Sequence, residues 1–190
     1  MAANLVTLVE YKAYLGISSN TNDTITNSLI PAVSELVKTL CRRTFVDYVT
    51  DSKVEVLRGG PVLILTESPL LEVTSVEYSS DYGNTYISLT EYTDYATDVV
   101  TEQIIPINSI NTFPICTNGY RVSYTAGYPT LPPDLKLAVF DLITYYLRND
   151  AAVHSTKAVG ANKVQIEYIT NTHMPAHIKR VLDLYTASYN

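Results

Sequence analysis

The chain changes character at one place. Arg121-Val122-Ser123-Tyr124 alternates polar and apolar residues as a half-buried strand does, and Gly127, Pro129, Pro132 and Pro133 follow within a dozen positions. Gly127 admits a positive φ or a close backbone approach, and the prolines forbid further strand pairing. Pro133 suits the first turn of a helix, where its missing N–H would have no intrahelical partner. Behind it Leu135, Ala138, Val139, Leu142, Ile143, Tyr146 and Leu147 recur at helical spacing. Whatever this chain folds into must turn a strand into a helix here, so Gly127, Pro129, Pro132 and Pro133 are read as a strand-to-helix hinge.

Helical patterns also open the chain. Thr7-Leu8-Val9-Glu10 is a capping box, and the helix it starts stops at Gly16. A second helix is expected from about Asp23 to Arg43, with Ile25, Leu29, Val33, Leu36, Val37 and Leu40 as its buried stripe. Pro31 lies inside that pattern and predicts a kink or a later start. Between these helices and the hinge everything reads as β. Lys53–Leu57 alternates, Arg58-Gly59-Gly60-Pro61 turns into a buried Val62–Leu65, and Leu71–Tyr78 alternates over its whole length. A strand pair is expected within Glu91–Ile107. Asn118-Gly119 is a two-residue hairpin signal that would join Thr112–Cys116 to Tyr120–Tyr124. Past the third helix (about Pro133–Asn149), residues 150–161 read as a polar loop and Val164–Ile169 as a lone strand. A last helix opens at Pro175 and carries Ile178, Val181, Leu182 and Tyr185 on one stripe.

The expected fold class is therefore α+β: a small domain of about four helices, with a β-rich domain inserted between helices 2 and 3. Residues 1–45 and 129–190 form the helical part, and residues 46–128 the insert.

Charge follows the same division. The net charge is −6, but residues 46–126 hold eleven acids against three bases, and no Lys or Arg occurs between Arg58 and Arg121. Phosphate binding needs a basic patch, so this block is not built to grip nucleic acid. Its carboxylates read as a solvated acidic face, since nothing singles out a catalytic pair or an EF-hand-like calcium loop near Asp94–Asp98. Sixteen tyrosines stand against three phenylalanines and no tryptophan, which suits half-exposed sheets and protein interfaces.

Other chemistry is sparse. His173 and His177 have the spacing of a zinc pair, but Met174-Pro175-Ala176 lies between them, and they read as capping or surface residues. Cys41 and Cys116 are read as reduced and mostly buried. No phosphate loop or nucleophile elbow occurs. The expectation is a non-enzyme without cofactor or metal. No apolar run reaches the length of a membrane span and no secretory pattern opens the chain, so a protein folded in the cytoplasm is expected.

Three phrases together resemble the head–tail connector (head-completion adaptor) family of tailed bacteriophages. They are Leu5-Val6-Thr7-Leu8-Val9-Glu10-Tyr11-Lys12-Ala13-Tyr14-Leu15-Gly16, the helix end Cys41-Arg42-Arg43-Thr44-Phe45, and Tyr124-Thr125-Ala126-Gly127-Tyr128 through Pro132, Leu135 and Ala138 to Arg148. Pro69–Val76 and Tyr95–Asp98 are similar to the β region of longer members. The resemblance implies a structural virion protein of the neck, assembled in the host cytoplasm. It would form a ring of about twelve subunits below the portal, extend the DNA channel without binding DNA specifically, and give the tail or a further neck protein a platform. Lys179, Arg180, Tyr185 and Tyr189 on the last helix are the candidate portal-docking residues. The readings from other classes are a soluble β-rich module recognising a receptor or glycan, and another neck protein such as a stopper or tail terminator.

Overall fold

The structure, a computed structural model, describes residues 3–107, 112–147, 154–156, 165–167 and 174–187. It is an α+β protein of four helices and antiparallel sheets, the helices flanking the strand region in sequence. The chain divides into two compact units, one formed by Arg43–Thr130 with Met1–Ala3, the other by Asn4–Arg42 with Leu131–Asn190.

The first unit holds seven strands among its described residues. β1 (Lys53–Leu57), β3 (Leu70–Tyr78), β4 (Ile87–Ser88) and β7 (Tyr120–Ala126) form one sheet in the order β1-β7-β3-β4. β2 (Leu63–Ile64), β5 (Tyr95–Asp98) and β6 (Gln103–Pro106) form another, with β6 between β2 and β5. Both contribute to one core, in which Leu63 and Ile104 meet Val76, Tyr120, Val122 and Tyr124. β7 alternates strictly, burying Tyr120, Val122, Tyr124 and Ala126. It is the central strand, paired with β1 on one side and β3 on the other.

β3 does not keep the strict alternation its sequence shows. Register shifts fall between Leu70 and Glu72 and between Val73 and Ser75 against β7. Each places an extra residue on β3, as a bulge does. Val73 opposite Tyr124 and Val76 opposite Val122 consequently both reach the core, although they are three residues apart. Leu71 is left exposed and Leu70 is buried.

The Asn118-Gly119 hairpin is a second correction. A turn is there, closed by Gly119 N–H on the Cys116 carbonyl at 3.0 Å with Asn118 at φ 54°. The segment before it is not a strand: only Phe113 makes an isolated bridge, to Gly60. β7 instead finds its partners far away in sequence. Gly59 and Gly60 likewise do not close a hairpin, because β1 and β2 belong to different sheets. Gly59 is required by packing: a Cβ there would lie 2.5 Å from the Pro114 carbonyl oxygen.

The second unit is helical. α1 (Leu8–Leu15) has the expected capping box at Thr7 and Glu10 and ends on Gly16 in the left-handed region. α2 runs unbroken over Asp23–Cys41 with Pro31 inside it, so the later start is not observed. Its buried stripe is rotated from the expected one. Thr26, Ile30, Val33, Ser34, Val37, Lys38 and Cys41 are buried, whereas Ile25 is 56% and Leu40 45% exposed. α3 (Pro133–Leu147) starts on Pro133 and buries Leu135, Ala138, Val139, Phe140, Leu142 and Ile143. α4 (Ala176–Tyr185) adds Ile178 and Leu182 to this core. The region between α3 and α4 differs from expectation. β8 (His154–Thr156) and β9 (Gln165–Glu167) pair antiparallel, so the strand is not lone and part of the expected loop is strand.

Candidate functional site

In the first unit several acidic residues make local bonds. Asp81 accepts from Ser79 Oγ at 2.7 Å, Thr85 N–H at 2.8 Å and Thr85 Oγ1 at 2.6 Å. Asp98 accepts from the Val100 and Thr101 N–H groups at 2.9 and 3.2 Å and from Thr101 Oγ1 at 2.7 Å. Asp94 accepts from the Thr90 N–H at 2.7 Å. Short polar side chains close loops this way, which is why aspartate is favoured in them. The Thr85 hydroxyl holds the Asp81 carboxyl far below its ordinary range, and the Thr101 hydroxyl lowers that of Asp98. Glu77 is paired with Arg121, whose guanidinium also stacks over the Tyr86 ring at 4.2 Å. Part of this acidic charge thus also builds turns and a cross-strand pair. Among the described residues no group of three or more His, Cys, Asp or Glu could hold a metal ion.

One cluster in this unit is buried. Glu67, 8% exposed, accepts from Thr44 N–H and Thr44 Oγ1 at 3.2 and 3.1 Å and from Lys53 Nζ at 3.3 Å. Lys53 Nζ also donates to Thr66 Oγ1 at 2.5 Å. Thr66 in turn donates to Glu55, as does the Tyr124 hydroxyl at 2.7 Å. Burial, then the bond to Glu55, pushes the Tyr124 phenol well above its usual range. These groups hydrogen-bond one another, and such a network braces the elements it joins. Beside them Gly127, at φ 114°, donates to the Pro69 carbonyl at 2.8 Å, and Tyr128 N–H donates to the Phe45 carbonyl at 2.7 Å. Residues 44–45, where the chain enters this unit, and 127–128, where it leaves, thus lie side by side.

In the second unit side-chain contacts join α1 and α4 to α3. Glu10 accepts from Lys136 Nζ at 2.5 Å, joining α1 to α3. Tyr14 stacks on Phe140 with ring centroids 4.9 Å apart, and its hydroxyl donates to Asp141 at 3.0 Å. The Tyr185 hydroxyl donates to Asp134 at 2.7 Å, joining α4 to α3. The Lys136 bond, then the Thr7 N–H, holds the Glu10 carboxyl below its ordinary value, and the Tyr185 bond does the same for Asp134.

A carboxyl depressed in the folded state stabilises above its unfolded pKa, and that stabilisation is lost as pH falls through the folded value. The urea midpoint is therefore expected to stay level from neutral pH to about 5 and to fall once pH drops below about 4.3, the ordinary carboxylate range. Lys136→Met should flatten the fall; a wild-type midpoint that does not move down to about pH 3 would contradict this assignment of the ion pairs.

Of the candidate docking residues, Lys179 and Arg180 are exposed on α4. Tyr185 is half-buried and spends its hydroxyl on Asp134. Tyr189 and His173 lie outside the described residues. His177 is exposed, with Nε2 3.8 Å from Asp141. Pro133 is the first residue of α3, and Lys136 N–H donates to the Pro132 carbonyl at 2.9 Å. Gly127 and Pro129 belong to the first unit and Pro132 and Pro133 to the second. What the sequence reading missed is the outer side of α2, an aliphatic strip that lies in solvent. Its Leu29, Ala32 and Leu36 line a shallow groove with Val33 and Tyr146. No helix among the described residues is long and apolar enough to cross a membrane.

The sequence model of one family, described as head completion protein, matches residues 4–187. No curated protein matches the chain. Solved structures do. A chain in the neck of an empty gene transfer agent particle, computed with C6 symmetry, superposes with TM-score 0.61 at 18% identity, covering 98% of this chain and 91% of that one. A chain of the native gene transfer agent virion gives TM-score 0.61 at 16% identity over the same shares. A chain in the native neck computed with C12 symmetry gives 0.60 at 17%, covering 100% and 97%. At these identities the likeness is one of fold.

Proposed function

The chain belongs to the head completion protein family, and from that premise we propose that it is a structural head-to-tail adaptor of a virion neck, forming a ring below the portal. The observation that carries this is the family match over nearly the whole length. Similarity of fold to chains from particle necks determined with C6 and C12 symmetry supports it, and a dodecamer is the subunit number we favour. The ring extends the DNA channel and offers the tail or a further neck protein a platform. Neither role needs a reaction, and we read the protein as a non-enzyme without cofactor. In the strand-rich unit Lys53 and Arg121 are both paired to carboxylates, which suits a surface that DNA slides past.

Docking to the portal falls to the exposed cations of α4, Lys179 and Arg180, while Tyr185 holds that helix against α3. Reversing both to glutamate is expected to weaken capture of a portal ring at least tenfold, read by pull-down or interferometry at fixed salt. Capture equal to wild type would remove α4 from the portal contact. The role itself is tested by mass photometry and negative-stain imaging of the full chain, with and without portal rings. A closed ring with a central hole supports the adaptor. A monomer indifferent to the portal would favour the β-rich binding module.

A further inference from the structure

We propose that the outer side of α2 is one half of the seam between neighbouring subunits, and that Leu184 and Arg180 of α4 on a second copy are the other half. This rests on the ring reading and names the surfaces that build it.

The two apolar stripes of α2 are unequal in an unexpected direction. The buried stripe carries Thr26, Ser34 and Lys38, whereas Ile25, Leu29, Ala32, Leu36 and Leu40 on the outer side are all aliphatic. At about 100° per residue these five fall within roughly 80° of one another. Ile25, Ala32 and Leu40 are exposed, and Leu29 and Leu36 half-buried. A helix that is apolar on both sides belongs in contact on both sides. Next to the strip stands Glu35, whose side chain is 57% exposed and pairs with Lys38 at 3.2 Å. The surface asks for an aliphatic knob with a cation at its edge.

α4 of the same chain presents that combination. Leu184 is 77% exposed, and Arg180, also exposed, precedes it by one turn on the same side. Leu184 points about 160° away from Leu182, which is in the chain's own core, so α4 cannot turn it inward. Seated between Leu29, Ala32 and Leu36 of a second copy, Leu184 would bring Arg180 against Glu35. The two surfaces are different parts of one chain, so the contact is head-to-tail and closes into a ring when the step angle divides the circle. With Arg180 in the seam, portal docking by α4 falls to Lys179, about 100° round the helix, and Lys179→Glu alone separates loss of portal capture from loss of the seam.

The test uses the full chain in a Cys116→Ser background, with Cys41 buried. Ala32→Cys and Leu184→Cys are combined and oxidised mildly, in the presence and absence of portal rings. A ladder of covalent multimers in the double variant, absent from either single variant, is expected. Rings visible by imaging without any such ladder would overturn the seam while leaving the adaptor reading in place. Failure of the unmodified chain to form rings under any condition would instead remove the adaptor reading. A cross-link from position 32 to the portal would assign the strip to the portal and overturn the seam. Charge supplies a second readout, with urea unfolding of each variant separating loss of the Glu35–Lys38 pair from loss of the seam. Glu35→Arg should raise the midpoint of self-association about tenfold, and adding Arg180→Glu should recover most of it. No recovery in the double variant would count against the pairing of these two residues.

Discussion

Gly127→Ala is expected to destabilise the strand-rich unit by about 3 kcal/mol or more, a large fraction of the stability of an ordinary protein. Two effects combine. The backbone sits at φ 114°, a region that side chains rarely enter, and a Cβ there would lie 2.3 Å from the Phe45 carbonyl oxygen. That oxygen cannot withdraw cheaply, because it accepts the Tyr128 N–H at 2.7 Å. Phe45 is itself at φ 63°, so both chains at this crossing occupy the left-handed side of φ. The measurement is thermal and urea unfolding of the full chain, with Gly16→Ala as the comparison. Gly16 shares a positive φ of 65° but has nothing within 4 Å of a would-be Cβ, so it should lose only about 1 kcal/mol. Equal losses for the two would show that backbone strain alone, and not the clash with Phe45, sets the penalty at position 127.

The same glycine shows how much the sequence announced and where it fell silent. A strand that ends in Gly127 and a helix that starts on Pro133 follow from local chemistry, as do the Thr7–Glu10 capping box and the alternation of β7. Each depends on residues within a turn or two of one another. The bulges of β3 were not legible, because they depend on which residues of β7 lie opposite, some fifty positions away. The rotation of α2 was missed for a related reason. Aliphatic residues occupy two adjacent stripes, periodicity weights both alike, and only packing against α3 and α4 decides which is covered. The polar members of the covered stripe, Thr26 and Ser34, find partners there: Thr26 Oγ1 donates to the Asn22 carbonyl at 2.9 Å, and Leu5 N–H donates to Ser34 Oγ at 3.1 Å. Side-chain polarity therefore pointed to the wrong face, and by doing so left an aliphatic surface in solvent.

The buried cluster around Glu67 sets the second large effect. Lys53→Met is expected to destabilise by about 3 kcal/mol, because it leaves the Glu67 carboxylate, with a side chain 10% exposed, without the lysine ammonium it faces. Thr66 Oγ1 loses its donor in the same step. Removing both ends of the pair should be less damaging than removing one. Lys53→Met with Glu67→Met discards two charges together, and well-packed apolar replacements for a buried pair are often tolerated. The double variant is thus expected to be more stable than the sum of the two single changes by about 1.5–2 kcal/mol, a coupling that a double-mutant cycle in urea resolves. Thr44 will still lose its acceptor, so full recovery is not expected. Additive losses would mean that Lys53 and Glu67 act independently, Glu67 through Thr44 and Lys53 through Thr66. Coupling would mean that the ion pair itself fastens residues 44–45, where the chain enters the unit, to the start of β1.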